Sequence, residues 1–316
     1  MRVLVTGATG FVGRHLTQLL VAQGHRVYGT YLTQPKGGSG GAQLVPCDVR
    51  DAAQLHRLLR RIRPQRIYHL AAHSSVVDSF RDIRAVYETN FWGTYNLLEA
   101  ARQGSPRARV LVVSSGHCYG PIKRGQRPAA ESQPLAPQNP YALSKAAADL
   151  LAGLYHARHG LHVVRARPLN HTGPGQSPEF VCSDFARQAA AIDLGLQAPV
   201  LSVGNLDVER NFSDVRDVVR AYVLLLEKGK AGEAYNVASG RRTTVRRLVK
   251  LLTAFSSRPI RVRVERRRQR LADLRRLTIN TKRLRRTTGW RPEYDLPKTL
   301  KDLFLYWKEV LQTGRR

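Results

Sequence analysis

The feature that most restricts the possible folds lies in the opening thirteen residues. A short apolar run, Arg2–Thr6, is followed at once by Gly7, Gly10 and Gly13, and then by residues of helical period. A strand that turns into a helix through glycines at this spacing has a narrow structural meaning. The turn is tight, the helix packs closely on the strand, and nothing branched stands where the helix begins. The unsatisfied amides of that helix N-terminus favour an anion in front of them. Gly7, Gly10 and Gly13, with Phe11 and Val12 between them, therefore predict a seat for the pyrophosphate of a dinucleotide.

The pattern opened here continues. Short β-rich runs at Arg2–Thr6, Arg26–Thr30, Gln43–Pro46, Arg66–Leu70, Arg109–Val113 and His162–Arg167 alternate with stretches of helical spacing. Phe11, Leu16, Leu19 and Leu20 mark one such face, and Val86, Phe91, Tyr95 and Leu98 another. Repeated strand–helix units of this kind build a parallel sheet. KGGSGG at 36–41 is too glycine-rich for either element and reads as a loop. After Arg167 the regularity loosens into PLNHTGPGQSPEF, a helix near Phe180–Leu194, another beginning near Asp214 and a strand at Glu233–Val237. A further helix after Thr243 carries Val245, Leu248, Val249 and Leu252 on one face. The expected architecture is α/β: a doubly wound parallel sheet of the Rossmann type over 1–167, rejoined by about 214–237, and a smaller C-terminal α/β domain for substrate over 168–316.

Bulk properties narrow the class. A hydrophobic fraction of 42% suits a globular protein, and no apolar run is long enough to span a bilayer. The N-terminus enters a strand without a leader's apolar core, so a cytoplasmic protein without membrane attachment is expected. Cys47, Cys118 and Cys182 are scattered, with no CxxC pair and no histidine at ligand spacing, so free thiols and no metal site are expected. The 52 Lys and Arg against 23 Asp and Glu give a net charge of +29, a field that attracts polyanions from nucleotide diphosphates to RNA without choosing among them.

Other positions fit the dinucleotide seat. Asp48, followed by Val49, comes after the third strand, where a carboxylate reaches an adenine edge or caps the next helix. The fourth strand ends in HLAAH, and Leu70 with the small Ala71 and Ala72 would let a cofactor lie against the backbone. The second strand ends in Thr30-Tyr31-Leu32-Thr33, without the acid that binds a ribose 2′-hydroxyl. NADP(H) is therefore favoured, with NAD(H) still open.

Tyr141 and Lys145 in NPYALSK stand four apart at the start of a helix, on one face. A cation beside a phenol favours phenolate and lowers its pKa from about 10, which would make Tyr141 a general acid/base. Ser115, at the end of the fifth strand, is placed to hydrogen-bond a carbonyl oxygen as it gains charge.

TGATGFVG, the set Ser115, Tyr141 and Lys145, and RPLNHTGPGQ at 167–176 resemble the extended short-chain dehydrogenase/reductase family. Within it the chain is most similar to the GDP-6-deoxy-4-keto-mannose reductases, through FVCSDFARQ, VGNLDVERNFSDVRDVVRAY, YNVASG and TTGW as well. The resemblance implies a homodimer and a hydride passing from nicotinamide to a GDP-linked 4-keto sugar. It also implies that Ser115 polarises the keto oxygen, that Tyr141 protonates it, and that Lys145 assists Tyr141 and holds the nicotinamide ribose. Asn170 and Arg210 would bind substrate, Arg210 through a planar fork suited to a diphosphate. Arg270 and Asp273 in RLAD occupy the place of an Arg-Pro-x-Glu nucleotide grip.

Two departures matter. Leu271 and Asp273 replace the Pro and Glu of that grip. His117 stands where dehydratase relatives carry the Glu needed to eliminate water; it either titrates or forms part of the pocket wall. Reduction of a GDP-4-keto-6-deoxy-hexose, to a product such as GDP-D-rhamnose, is the leading expectation. A GDP-mannose 4,6-dehydratase or nucleotide-sugar 4-epimerase is the second, and an RNA-binding protein on an inactive scaffold comes from another class. Because the catalytic set and glycine turn are intact, nucleic acid is not the expected partner.

Overall fold

The computed structural model describes residues 1–34, 39–122, 126–265, 268 and 277–314. Its first half alternates β1 (Arg2–Thr6), α1 (Phe11–Ala22), β2 (Arg26–Tyr31), β3 (Gln43–Pro46), α2 (Ala52–Ile62), β4 (Arg66–His69), α3 (Ile83–Tyr87), α4 (Gly93–Gly104), β5 (Arg109–Val113), α5 (Pro140–His159) and β6 (Val163–Pro168). The second half contains β7 (His171–Thr172), α6 (Val181–Asp193), β8 (Val200–Val203), β9 (Glu209–Asn211), β10 (Ser213–Asp214) and α7 (Val215–Lys228). It continues with β11 (Ala234–Val237), β12 (Arg242–Thr244), α8 (Val245–Thr253), β13 (Arg261–Val264), α9 (Lys282–Thr288) and α10 (Leu296–Thr313).

Seven strands form one sheet in the order β11-β6-β5-β4-β1-β2-β3, and every pairing is parallel. Successive side chains of a strand leave on opposite faces. Val3 and Val5 meet α1 and α7 on one side through Leu16, Leu20, Val218 and Tyr222, whereas Leu4 and Ile67 face Leu55, Leu59, Leu97 and Leu98 on the other. Each fully buried leucine among these contributes about 1.5–3 kcal/mol. The edge strand β11 comes from the second half, in register with β6 from Ala234↔Arg165 to Val237↔Pro168, and α7 packs on α1.

A second core gathers α6, α8 and α10 around Phe185, Leu201, Leu248, Leu252, Phe304 and Trp307. Its outermost ribbon pairs β8 with β13, and β9 pairs antiparallel with β12. Trp290, from TTGW, is fully buried and donates its indole N–H to the Asp217 carbonyl at 2.9 Å, so the segment before α10 is pinned to α7. The three cysteines are free and buried. No helix among the described residues is long and apolar enough to cross a membrane.

The helical face expected from Val86, Phe91, Tyr95 and Leu98 is only partly the inward one. Val86 and Leu98 are buried, but Tyr95 is 37% exposed. Between α3 and α4 the chain makes a π turn at Glu88–Trp92, and the wider turn rotates Asn90 and Thr94 inward instead.

Candidate active site

The glycines of the first turn play three different parts. Gly7 has φ +68°, and a Cβ on it would lie 2.9 Å from the Ala71 amide nitrogen, so only glycine lets this turn pass beside the end of β4. A Cβ on Gly13 would lie 2.1 Å from the Gly7 carbonyl oxygen; its absence lets α1 sit on the turn. Around Gly10 a Cβ would have one close neighbour, that same oxygen at 3.3 Å, so little of the protein fills the space in front of the helix. Gly10 is the N-cap of α1 and offers no side-chain cap, and Phe11 and Val12 begin the helix behind it. Uncapped amides with little protein before them fit the pyrophosphate of a dinucleotide.

The neighbouring strand ends shape the same cleft. The Thr30 hydroxyl is buried and accepts from the Gly7 amide at 3.2 Å, so the end of β2 supplies a structural hydroxyl and no carboxylate. Leu70 and Ala71 both donate backbone N–H to Thr6 Oγ1 at 3.2 Å, and Ala72 follows them. Val49 is buried, and its carbonyl accepts from Asn96 Nδ2 at 3.1 Å. Asp48 does not cap α2; that position belongs to Asp51, whose carboxylate accepts from the Gln54 amide at 2.9 Å because the helix begins only at Ala52. Asp48 is gripped by Arg50, with Nη2–Oδ2 at 2.6 Å, and this hydrogen bond holds its carboxyl below the usual range.

The three residues expected to be catalytic come from the end of β5 and the start of α5. Asn139 caps α5, accepting from the Ala142 amide at 2.8 Å, and Pro140 occupies its first turn, which fixes Tyr141 at the helix entrance. Lys145 lies one turn further and is 6% exposed. Ser115 follows β5 and begins a 3-10 turn, Gly116–Tyr119, by accepting from the His117 amide at 3.2 Å. Ser115 also hydrogen-bonds the Tyr141 phenol.

The electrostatics correct one expectation. Burial pushes the Tyr141 phenol up to about 12, opposed by its hydrogen bond to Ser115 rather than by the Lys145 charge. Burial also pushes Lys145 down to about 8, against the pull of Cys118 and Asp149. Desolvation dominates at both groups, and at Tyr141 it favours the protonated phenol over the phenolate.

Of the residues expected to meet substrate, two come together beside the trio. His117 Nε2 and Asn170 Oδ1 are 3.4 Å apart, and the His117 ring packs edge-on to Tyr141 with centroids 6.4 Å apart. Asn170 is held from behind, its carbonyl accepting from the Ser213 amide at 3.0 Å. Arg210 sits on the β9–β12 ribbon opposite Thr243, and its Nη1 donates to the Glu209 carbonyl at 3.0 Å. Arg270 and Asp273 lie outside the described residues.

Two buried networks support the site and were not anticipated. Thr6 Oγ1 lies 2.8 Å from His69 Nδ1, and His69 Nε2 lies 3.1 Å from Thr94 Oγ1, which itself donates to the Asn90 carbonyl at 2.6 Å. Asn90 then bonds His73 and, through Nδ2, Ser144 Oγ at 2.9 Å, beside Tyr141. Elsewhere, the fully buried carboxylate of Asp149, one turn beyond Lys145, receives the partly buried Arg165 at 2.9 Å and the buried Arg167 at 2.7 Å. The sequence held a trace of the first: the five-residue step from Val86 to Phe91 is too long for a regular helical face. Nothing in it announced the second.

Comparison with known proteins agrees with this geometry. The chain is 37% identical over 311 residues to the GDP-6-deoxy-D-mannose reductase of Pseudomonas aeruginosa, covering 97% of each. Among solved structures, RMD from Pseudomonas aeruginosa complexed with NADPH superposes with a TM-score of 0.85 at 36% identity, over 98% of this chain and 99% of that one. Thermus thermophilus UDP-glucose 4-epimerase in complex with NAD superposes with a TM-score of 0.87 at 30% identity, over 98% and 99%. The family pattern described as GDP-mannose 4,6 dehydratase matches residues 4–303, and the chain belongs to that family.

Proposed function

We propose that this protein is a nicotinamide-dependent oxidoreductase that reduces a GDP-linked 4-keto-6-deoxy-hexose to the corresponding GDP-6-deoxy-hexose, such as GDP-D-rhamnose. The observation that carries the reading is the convergence of Ser115, Tyr141 and Lys145 with a His117–Asn170 pair, so that the position beside the trio holds an imidazole instead of a carboxylate. The cofactor supplies the hydride. The Gly7–Gly13 turn and the first amides of α1 hold its pyrophosphate, and Asp48, Val49 and the Leu70–Ala72 backbone line the adenosine side. Lys145 holds the nicotinamide ribose. Ser115 donates to the keto oxygen, and Tyr141, protonated at working pH, delivers the proton that completes the alcohol. Asn170 and His117 orient the sugar, while Arg210, with Arg270 and Asp273, binds the GDP moiety. The absence of an acid after β2, where the Thr30 hydroxyl instead braces the glycine turn, favours NADPH over NADH.

A homodimer fits the exposed apolar stripe formed by α5 and the π turn that precedes α4. Trp92, Leu143, Leu150 and Leu154 are 52, 49, 60 and 59% exposed, a patch that a second copy of the same helices would cover.

The test supplies purified protein with NADPH and GDP-4-keto-6-deoxymannose and identifies the sugar by NMR, with GDP-mannose plus catalytic oxidised cofactor as the second arm. Stoichiometric NADPH oxidation with formation of a 4-hydroxy sugar is expected. Accumulation of ketosugar from GDP-mannose identifies a dehydratase, and turnover of a nucleotide sugar without net NADPH consumption identifies an epimerase; either result overturns the reductase reading.

A further inference from the structure

The chain carries 52 Lys and Arg against 23 Asp and Glu, far more positive charge than the site above uses. Part of it surrounds a cavity of about 720 Å³ between loop 126–133 and the segment 279–285. That volume lies in the range of sites for nucleotide-sized ligands. Arg127, Lys282 and Arg285 line it together with Ser132, Gln133 and Asn280, and no acidic side chain does so among the described residues. The three cations are solvent-exposed and form no ion pair among the described residues.

The contrast with their neighbour is informative. Arg283, on the same short helix, meets Glu233 at 2.5 Å and Glu131 at 3.8 Å. Glu131 is further turned inward, accepting from the Asn236 amide at 3.0 Å. The nearby carboxylates are thus paired with Arg283, Glu131 in burial and Glu233 at the surface, and the cavity keeps an uncompensated positive field that an anion would satisfy.

Its walls are fixed before any ligand arrives. Ala129 and Ile279 form a parallel bridge, with Ala129 N to Thr278 O and Asn280 N to Ala129 O both at 2.9 Å. Asn236 Nδ2 clamps the two segments, donating to the carbonyls of Ala129 and Asn280 at 3.0 Å each. Its Oδ1 accepts from Tyr119, which is bonded in turn by Arg167 at 2.8 Å. A rigid cationic cavity loses little ordering entropy on binding.

We propose that this cavity is a second anion site, separate from the Ser115 cluster, that takes a phosphate ester of nucleotide size with two or more negative charges. Guanidinium and ammonium groups converge on the phosphates, and the polar side chains between them meet the remaining oxygens.

The probe is GTP, titrated calorimetrically into the full chain already loaded with NADPH and GDP. One further 1:1 binding event is expected. It should weaken at least tenfold in the double variant Lys282→Glu/Arg285→Glu, and also, to a smaller degree, in Lys282→Gln/Arg285→Gln, should one charge reversal disturb folding. It should survive Arg210→Ala and fall with added salt. Absence of the second event at millimolar GTP, binding that persists in both double variants, or binding that GDP abolishes would overturn the proposal. So would capture of RNA but not GTP by the same residues. If loading with GDP itself gives no heat, the reductase reading fails instead, and the cavity is tested with GTP on the NADPH-loaded protein.

Discussion

Replacing Tyr141 by Phe separates chemistry from architecture. The ring's position is fixed by the Asn139 cap and Pro140 and by packing against His117, none of which involves the hydroxyl. The only described bond lost is the one to Ser115, so the cost in stability is about 0.5–1.5 kcal/mol. The loss in rate should be much larger. A phenol held at about 12 is protonated throughout the neutral range, so its task is to donate the proton that the alkoxide needs. General acid catalysis contributes roughly a hundredfold to ten-thousandfold, or about 3–5 kcal/mol of barrier. Single-turnover oxidation of bound NADPH by the ketosugar measures the chemical step, and a fluorescence titration measures cofactor affinity, which should change little. Wild-type activity should also decline as pH rises through about 8, where Lys145 loses its charge. A Phe variant that keeps more than about half the wild-type rate would refute the assignment of Tyr141 as proton donor.

Gly10→Val should leave the fold intact, because its Cβ would press on a single atom, the Gly7 carbonyl oxygen at 3.3 Å, but abolish NADPH binding in a titration; Gly13→Ala should instead lower the denaturation midpoint, since its Cβ would meet backbone at 2.1 Å. Arg210→Ala should weaken GDP about tenfold to a hundredfold with NADPH affinity unchanged, and Arg210→Lys should restore only part of it; equal GDP affinity in the wild type and Arg210→Ala would remove Arg210 from the substrate site. His69 is held neutral by burial and by facing Lys145, down at about 3 from an ordinary 6.5. The unfolded chain therefore takes up this proton first, so stability should fall as pH drops from 6.5 toward 3, and His69→Gln should flatten that limb in urea midpoints. Leu150→Glu should convert a dimer to monomer by light scattering.

The sheet was legible because its strands are short apolar runs with sharp ends; β1, β3 and β5 coincide with the runs at Arg2–Thr6, Gln43–Pro46 and Arg109–Val113. That Ser115 and Tyr141 would be neighbours was legible because they stand at a strand end and a helix start, where spacing reports proximity. What stayed hidden depends on pairing across long separations or on a balance of opposing effects. The bonds of Asp149 to Arg165 and Arg167 join α5 to β6, and sequence spacing does not reveal partners in burial. The acidity of Tyr141 turned on whether desolvation or the nearby cation prevails, which only the packed site decides. Asn90 was concealed because a π turn shifts the inward face by one residue.

The origin of β11 also governs how the chain can be made. Strand β6 ends at Pro168, but the neighbour that completes its edge is not synthesised until Val237, and α7, which covers α1, only shortly before it. Until then the emerging polypeptide exposes an unpaired edge and an uncovered apolar face, both of which invite association with other chains. The first half thus cannot mature on the ribosome as an independent domain. Its completion waits on sequence from the second half, so a chain cut after residue 168 would be a sticky intermediate, and the smallest cooperative unit extends at least through β11.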